Sequence, residues 1–231
     1  MSRLVKILAI NFKAYRSSYG QKALQIAKAA EDVAKKFVIQ GVEVIIIPPP
    51  TEIERLASRL TAAKVFAQHV DAVSEGAYTG HITLGMVKAA GAEGVMINHS
   101  ERRIRLDEIE WIIEKSKELG MRTLVCANTP KVASSIALMK PEMIAIEPPE
   151  LIGTGIPVSK AKPEVVTGAL NAVKSVTTSV KVLAGAGITD PEDVSAAIDL
   201  GVDGVLVASA VMKAENPEAK IREFAEALLK R

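Results

Sequence analysis

The chain repeats one unit: an amphipathic segment, a glycine or short loop, then four to six apolar residues ending in a small or polar one. Eight apolar runs keep this rhythm: "LVKILAI" from Leu4, "VEVIII" from Val42, "KVFAQ" from Lys64, "GVMIN" from Gly94, "RTLVCA" from Arg122, "MIAIE" from Met143, "VKVLA" from Val180 and "GVLVAS" from Gly204. No neighbouring pair is joined by a hairpin-sized turn, so the predicted strands are parallel and linked by right-handed helical crossovers. Eight such units in 231 residues predict a closed (β/α)8 barrel, one α/β domain over residues 1–231, because that architecture typically takes ~250 residues. An open doubly wound sheet is the alternative. It would place a glycine-rich turn after its first strand, where this chain has "NFKAY".

Helix boundaries follow the same logic. "DEIEWIIEKSKELG" predicts a helix with Asp107 as N-cap, Glu110 three residues on, Ile109, Ile112, Ile113 and Leu119 on one face, and Gly120 as its stop. Two further helices open on Asp190-Pro191 and on Asn216-Pro217, with proline at the first helical position. Hydrophobic residues make up 48% of the chain but aromatics only 3%, so the core must be Val, Ile, Leu and Ala, as buried parallel strands require.

Charge and cysteine usage narrow the partners. The formal net charge is +2 and the basic residues form no run, which gives no sign of a nucleic-acid or membrane partner. Cys126 is the only cysteine, so neither an intrachain disulfide nor a cysteine metal site is possible. The apolar start is too short to span a bilayer and lacks a small-residue cleavage pattern, so it reads as a first strand. A soluble cytoplasmic protein is expected.

A barrel gathers the C-terminal ends of its strands around one mouth, and chemistry belongs there. Those ends carry Asn11 and Lys13, Gln68 and His69, Asn98 and His99, Cys126 and Asn128, Glu147, then "GAGIT" and "ASA". A glutamate at a strand end is ordinarily a solvated carboxylate. Glu147 differs in its apolar approach "MIAI" and in Pro148 and Pro149, which fix the backbone direction. "ELIGTG" follows, with Gly153 and Gly155, so the segment is stiff at its start and permissive at its end, as a lid must be. A closing lid removes water from a carboxylate, raises its pKa and makes it a stronger base.

Histidines are structural by default, and His69 and His81 are read so. His99 ends an apolar strand and precedes "SERR", a predicted helical turn whose backbone donors favour a neutral imidazole. Such a ring can donate to a carbonyl and shuttle its proton. Lys13 would supply positive charge to an anionic intermediate or a phosphate. No metal cluster and no nucleophile elbow is present in the sequence. Small residues in "GAGIT" and "VLVASA" let backbone N–H groups approach a phosphate closely.

"NFK", "NHSERR" and "EPPELIGTG", in this order on eight matching units, resemble the three site motifs of the triosephosphate isomerase family, and the resemblance covers essentially the whole chain. That family is the general example of a glutamate base, a neutral histidine and a closing loop on a TIM barrel. The resemblance implies that Glu147 removes the proton next to the carbonyl of dihydroxyacetone phosphate. It implies that His99 polarises the carbonyl and moves protons between the enediolate oxygens, while Lys13 and Asn11 hold the intermediate. The same acid then gives D-glyceraldehyde 3-phosphate without a cofactor or a metal, a step of glycolysis and gluconeogenesis.

It further implies a lid from Pro148 to Gly155 with phosphate-binding N–H groups near Ile152 and Gly153, and further phosphate contacts at Gly187, Ala208 and Ser209. Cys126 matches a family cysteine near the base, as a packing residue. "SEGAYTGHIT", around Tyr78 and Thr79, is similar to the family's interdigitating dimer loop. The chain is shorter than most members, its lid lacks their tryptophan, and its last two loops depart from their glycine-serine and double-glycine patterns. These departures resemble the compact archaeal-type form and imply a homo-oligomer, tetramer rather than dimer. A barrel acting on another sugar or ribose phosphate, and a phospholigand-binding barrel without turnover, are the alternatives.

Overall fold

The structure, a computed structural model, describes residues 5–148 and 163–229. Eight parallel strands close into a barrel in chain order: β1 (Lys6–Asn11), β2 (Val42–Ile47), β3 (Lys64–Ala67), β4 (Gly94–Ile97), β5 (Arg122–Ala127), β6 (Met143–Ile146), β7 (Lys181–Ala184) and β8 (Gly204–Val207). Closure comes from β1, which pairs with β2 on one side and β8 on the other, Ile7 lying opposite both Glu43 and Gly204. At Gly204 a Cβ would sit 2.1 Å from the Ile7 carbonyl oxygen, so only glycine lets the last strand reach the first. The open sheet is therefore excluded.

Around the barrel run α1 (Gly20–Phe37), α2 (Ile53–Ala57), α3 (Leu84–Ala89), α4 (Leu106–Glu118), α5 (Pro130–Ala137), α6 (Pro163–Val176), α7 (Pro191–Asp199), α8 (Ser209–Met212) and α9 (Pro217–Ala227). Helices α2 and α3 are only a turn or so long, and α8 is a short extra helix directly after β8. Asn216 caps α9 through its side chain, which accepts from the Ala219 N–H at 3.0 Å. Asp190 precedes α7 as expected, and Asp193 accepts from the Asp190 N–H at 3.0 Å. One boundary differs from the sequence reading. Helix α4 is capped at Arg105, whose N–H donates to Glu108 at 2.7 Å, while Asp107 lies inside the first turn with its carboxylate held by the Arg105 guanidinium.

Strand alternation produces two apolar layers. Ile7, Ala9, Ile45, Ile47, Phe66, Leu124 and Leu206 fill the barrel, while Leu8, Ile10, Val44 and Val125 face the helices. Burying each large aliphatic side chain contributes about 1.5–3 kcal/mol. The barrel floor, at the N-terminal ends of the strands, is polar. Arg122 donates to both Glu43 oxygens at 2.7 and 2.8 Å and to Glu142 at 2.9 Å, and its guanidinium carbon lies 5.5 Å from the Phe66 ring centroid. Burial alone would lower its pKa, but the two carboxylates outweigh that and raise it.

A loop leaves the barrel after β3. Asp71 closes its base, donating its N–H to Ile82 O at 2.8 Å and accepting the Ile82 N–H at 2.7 Å. His69, buried and 3.2 Å from Asp71, and Arg102, at the same distance, hold that carboxylate from the barrel side. His81 packs edge-on against Tyr78. His69 is buried against a carboxylate, whereas His81 is exposed.

Candidate active site

The strand pattern alone carries Asn11 to the mouth, since Ile7, Ala9 and Asn11 alternate on the inner face of β1. The Asn11 carboxamide oxygen accepts the Lys13 N–H at 2.9 Å and so bends the chain back over the barrel. Lys13 takes a left-handed backbone, φ 49°, a conformation unusual for a residue with a Cβ and one that clusters at functional positions. Gln68 supports the bend from β3, its amide reaching Lys13 O at 3.0 Å, Ile47 O at 3.1 Å and Asn11 Oδ1 at 3.3 Å. The Lys13 ammonium is mostly buried and pairs with Glu101 at 2.8 Å.

His99 reaches the site by a break in alternation. Inward-facing Met96 makes Asn98 the next inward residue and would send His99 outward. Asn98 is left-handed instead, φ 57°, which asparagine tolerates better than most residues. Its side chain stays below, donating to Cys126 O at 2.9 Å and accepting from the Ile104 N–H at 3.1 Å, while the turn delivers His99 to the mouth. The Glu101 N–H donates to His99 Nδ1 at 3.1 Å. Nδ1 therefore accepts, and the neutral ring carries its proton on Nε2. The sequence reading expected a helical turn here; the chain makes one hydrogen-bonded turn, from Arg102 N–H to His99 O, and α4 begins only at Leu106.

Glu147 follows β6 and is 1% exposed. Its Oε1 lies 3.1 Å from His99 Nε2 and its Oε2 accepts the Ser100 N–H at 3.3 Å. The Ser100 hydroxyl is buried beside it with no partner among the described residues. Cys126, from the inward face of β5, is a further neighbour of the carboxylate; burial first, then the glutamate's charge, push its thiol well above the usual range. It stays a protonated packing group. Opposite stands Gly185, where a Cβ would lie 2.9 Å from Glu147 Cγ.

Asn11, Lys13, His99, Glu147, Gly187, Ala208 and Ser209 line one cavity at the barrel mouth, so the ends of β1, β4 and β6 and the last two loops converge. Gly187 is left-handed, φ 73°, and Ser209 begins α8 rather than ending β8. Ile152 and Gly153, with the lid beyond Pro148, lie outside the described residues. Gln68, Ser100, Glu101 and Gly185 support the site, and Tyr15 also lines the cavity. Sequence reading gave Gln68 and Tyr15 no role and placed Ser100, Glu101 and Gly185 only within the "SERR" turn and the "GAGIT" loop, because their particular contacts run to distant neighbours or through backbone atoms. No three His, Cys, Asp or Glu side chains come together among the described residues as a metal site would need, and no described helix is long and apolar enough to cross a membrane.

A family model described as triosephosphate isomerase matches residues 6–227. The chain belongs to the triosephosphate isomerase family. The triosephosphate isomerase of Methanocaldococcus jannaschii is 47% identical over 94% of this chain and 98% of that protein. That of Sulfurisphaera tokodaii is 50% identical over 94% and 93%, and that of Sulfolobus acidocaldarius 49% identical over 97% and 95%. The crystal structure of the Bartonella henselae triosephosphate isomerase aligns with a TM-score of 0.75 at 20% identity, over 97% of this chain and 99% of that one, and shows the shared barrel. Membership makes this chain an isomerase, and the high identity to archaeal triosephosphate isomerases agrees with the compact form read from its loops.

Proposed function

We propose that the chain interconverts dihydroxyacetone phosphate and D-glyceraldehyde 3-phosphate through an enediolate. The observation that carries this reading is the buried Glu147 carboxylate 3.1 Å from His99 Nε2, in a cavity that also holds Lys13 and Asn11. Glu147 takes the proton from the carbon next to the carbonyl, and the electron pair of that C–H bond moves into the new C=C bond while the carbonyl oxygen becomes negative. The Nε2–H that now faces Glu147 turns to this oxygen and stabilises it, with the Lys13 ammonium beside it. His99 carries a proton from the hydroxyl to the oxyanion, and the Glu147 acid returns its proton to the neighbouring carbon. Atoms and charge balance with no cofactor.

Backbone N–H groups at Gly187, Ala208 and Ser209, with the lid at Ile152 and Gly153, hold the phosphate. The chain works as one catalytic unit over residues 1–231, a cytoplasmic homotetramer serving glycolysis and gluconeogenesis. A coupled dehydrogenase assay with each triose phosphate tests the activity. Glu147→Ala should lower kcat by about three orders of magnitude while 2-phosphoglycolate still binds; unchanged turnover in that variant overturns the mechanism. Solution mass tests the tetramer.

A further inference from the structure

Tyr15 is the one phenol lining the cavity among the described residues, and it stands in the loop after β1, beside β8 in the barrel. Its hydroxyl makes no hydrogen bond to a described residue. Two contacts fix the loop to the end of α8. The Lys213 ammonium sits 5.3 Å from the Tyr15 ring centroid, and Ser17 Oγ donates to Met212 O at 2.9 Å. The ring also forms the wall shared with a second cleft, lined by Arg16, Lys22 and Lys213 among others. Glu215 and Glu218 line the same cleft, but Lys213 makes no ion pair with a described residue.

The chemistry of the cavity asks for such a residue. Gly187, Ala208 and Ser209 offer backbone N–H groups and one hydroxyl, and the described cation in the cavity, Lys13, is already paired with Glu101. Beside the backbone N–H groups assigned to the phosphate above, a dianion at this end gains from a side-chain donor and positive potential. A phenol O–H donates well to an anion, and a cation on the ring face draws electron density from it.

We propose that Tyr15 is a further substrate-binding residue whose hydroxyl donates to the phosphate of the triose phosphate, and that Lys213 is a positioning residue that holds the ring and lends its charge to that end of the cavity. This rests on the isomerase reading given above. Tyr15→Phe removes only the hydroxyl and keeps the ring under Lys213. It should raise KM for dihydroxyacetone phosphate about three- to tenfold, with kcat reduced no more than about twofold, and weaken competitive inhibition by inorganic phosphate in the same proportion. Lys213→Met should give a smaller rise in KM and a shallower dependence of KM on ionic strength. The double variant should fall short of the product of the two effects, because both act through one ring.

Unchanged KM and phosphate inhibition in a folded, active Tyr15→Phe enzyme overturn the inference and leave the isomerase reading standing. A wild-type protein without isomerase activity overturns both.

Discussion

At the scale of single residues, the site depends on two left-handed joints and one missing side chain. Asn98 and Lys13 break the in-out alternation at the points where a strand must hand over a reactive group. Gly185 leaves room for Glu147: a Cβ there would approach Glu147 Cγ to 2.9 Å and Ile146 O to 3.2 Å. Gly185→Ala should therefore lower kcat about 10- to 100-fold by displacing the carboxylate, with KM less affected; steady-state kinetics beside a thermal melt check this, and a variant that melts lower but turns over normally would refute it. Glu147, His99, Lys13 and Asn11, which the structure brings to one cavity and to which we assign the chemistry, could be picked from the chain because each stands directly at or beyond the end of an apolar run. The contacts by which Gly185 and Gln68 support the site could not be read there, because what matters is a distance to a residue 38 or 57 positions away.

Elements are joined by side chains that satisfy backbone groups at a distance. Glu31, buried in α1, accepts from Thr61 Oγ1 at 2.6 Å, Thr61 N at 3.0 Å and Ala63 N at 2.9 Å, fastening that helix to the segment before β3. Burial alone would raise its pKa, but these bonds, with Ala62 N–H and Lys35, outweigh it and hold the carboxyl at about 2. A folded pKa below the unfolded one gives stability that is complete above about pH 4.5 and is lost as pH falls towards about 2. The contribution is on the order of 2–3 kcal/mol. Urea unfolding of the wild type and Glu31→Gln should show a gap at pH 7 that narrows by pH 3; an equal gap at both would sink this account. Periodicity placed every strand to within a residue or two, since each is a buried apolar run. It misjudged the start of α4, where the competition between Asp107 and Glu108 is decided by the position of the Arg105 guanidinium and not by residue type.

For the whole molecule, the barrel separates two polar ends by an apolar filling. The floor is tied by Arg122 between Glu43 and Glu142, from β5, β2 and the approach to β6. Removing the cation leaves two partly buried carboxylates facing each other, so Arg122→Met should cost about 1–3 kcal/mol and lower Tm by roughly 4–10 °C. Calorimetry measures this; kcat at 25 °C should stay within about twofold, and a large loss of kcat at full folding would contradict the separation. Sequence reading found the mouth and overlooked this floor, because its three charges lie at strand starts, where ordinary solvated residues look the same. Since none of the described residues assigned to the chemistry touches the floor, mutations that harden or soften the molecule against heat can accumulate there in one lineage after another while the chemistry at the rim is left untouched.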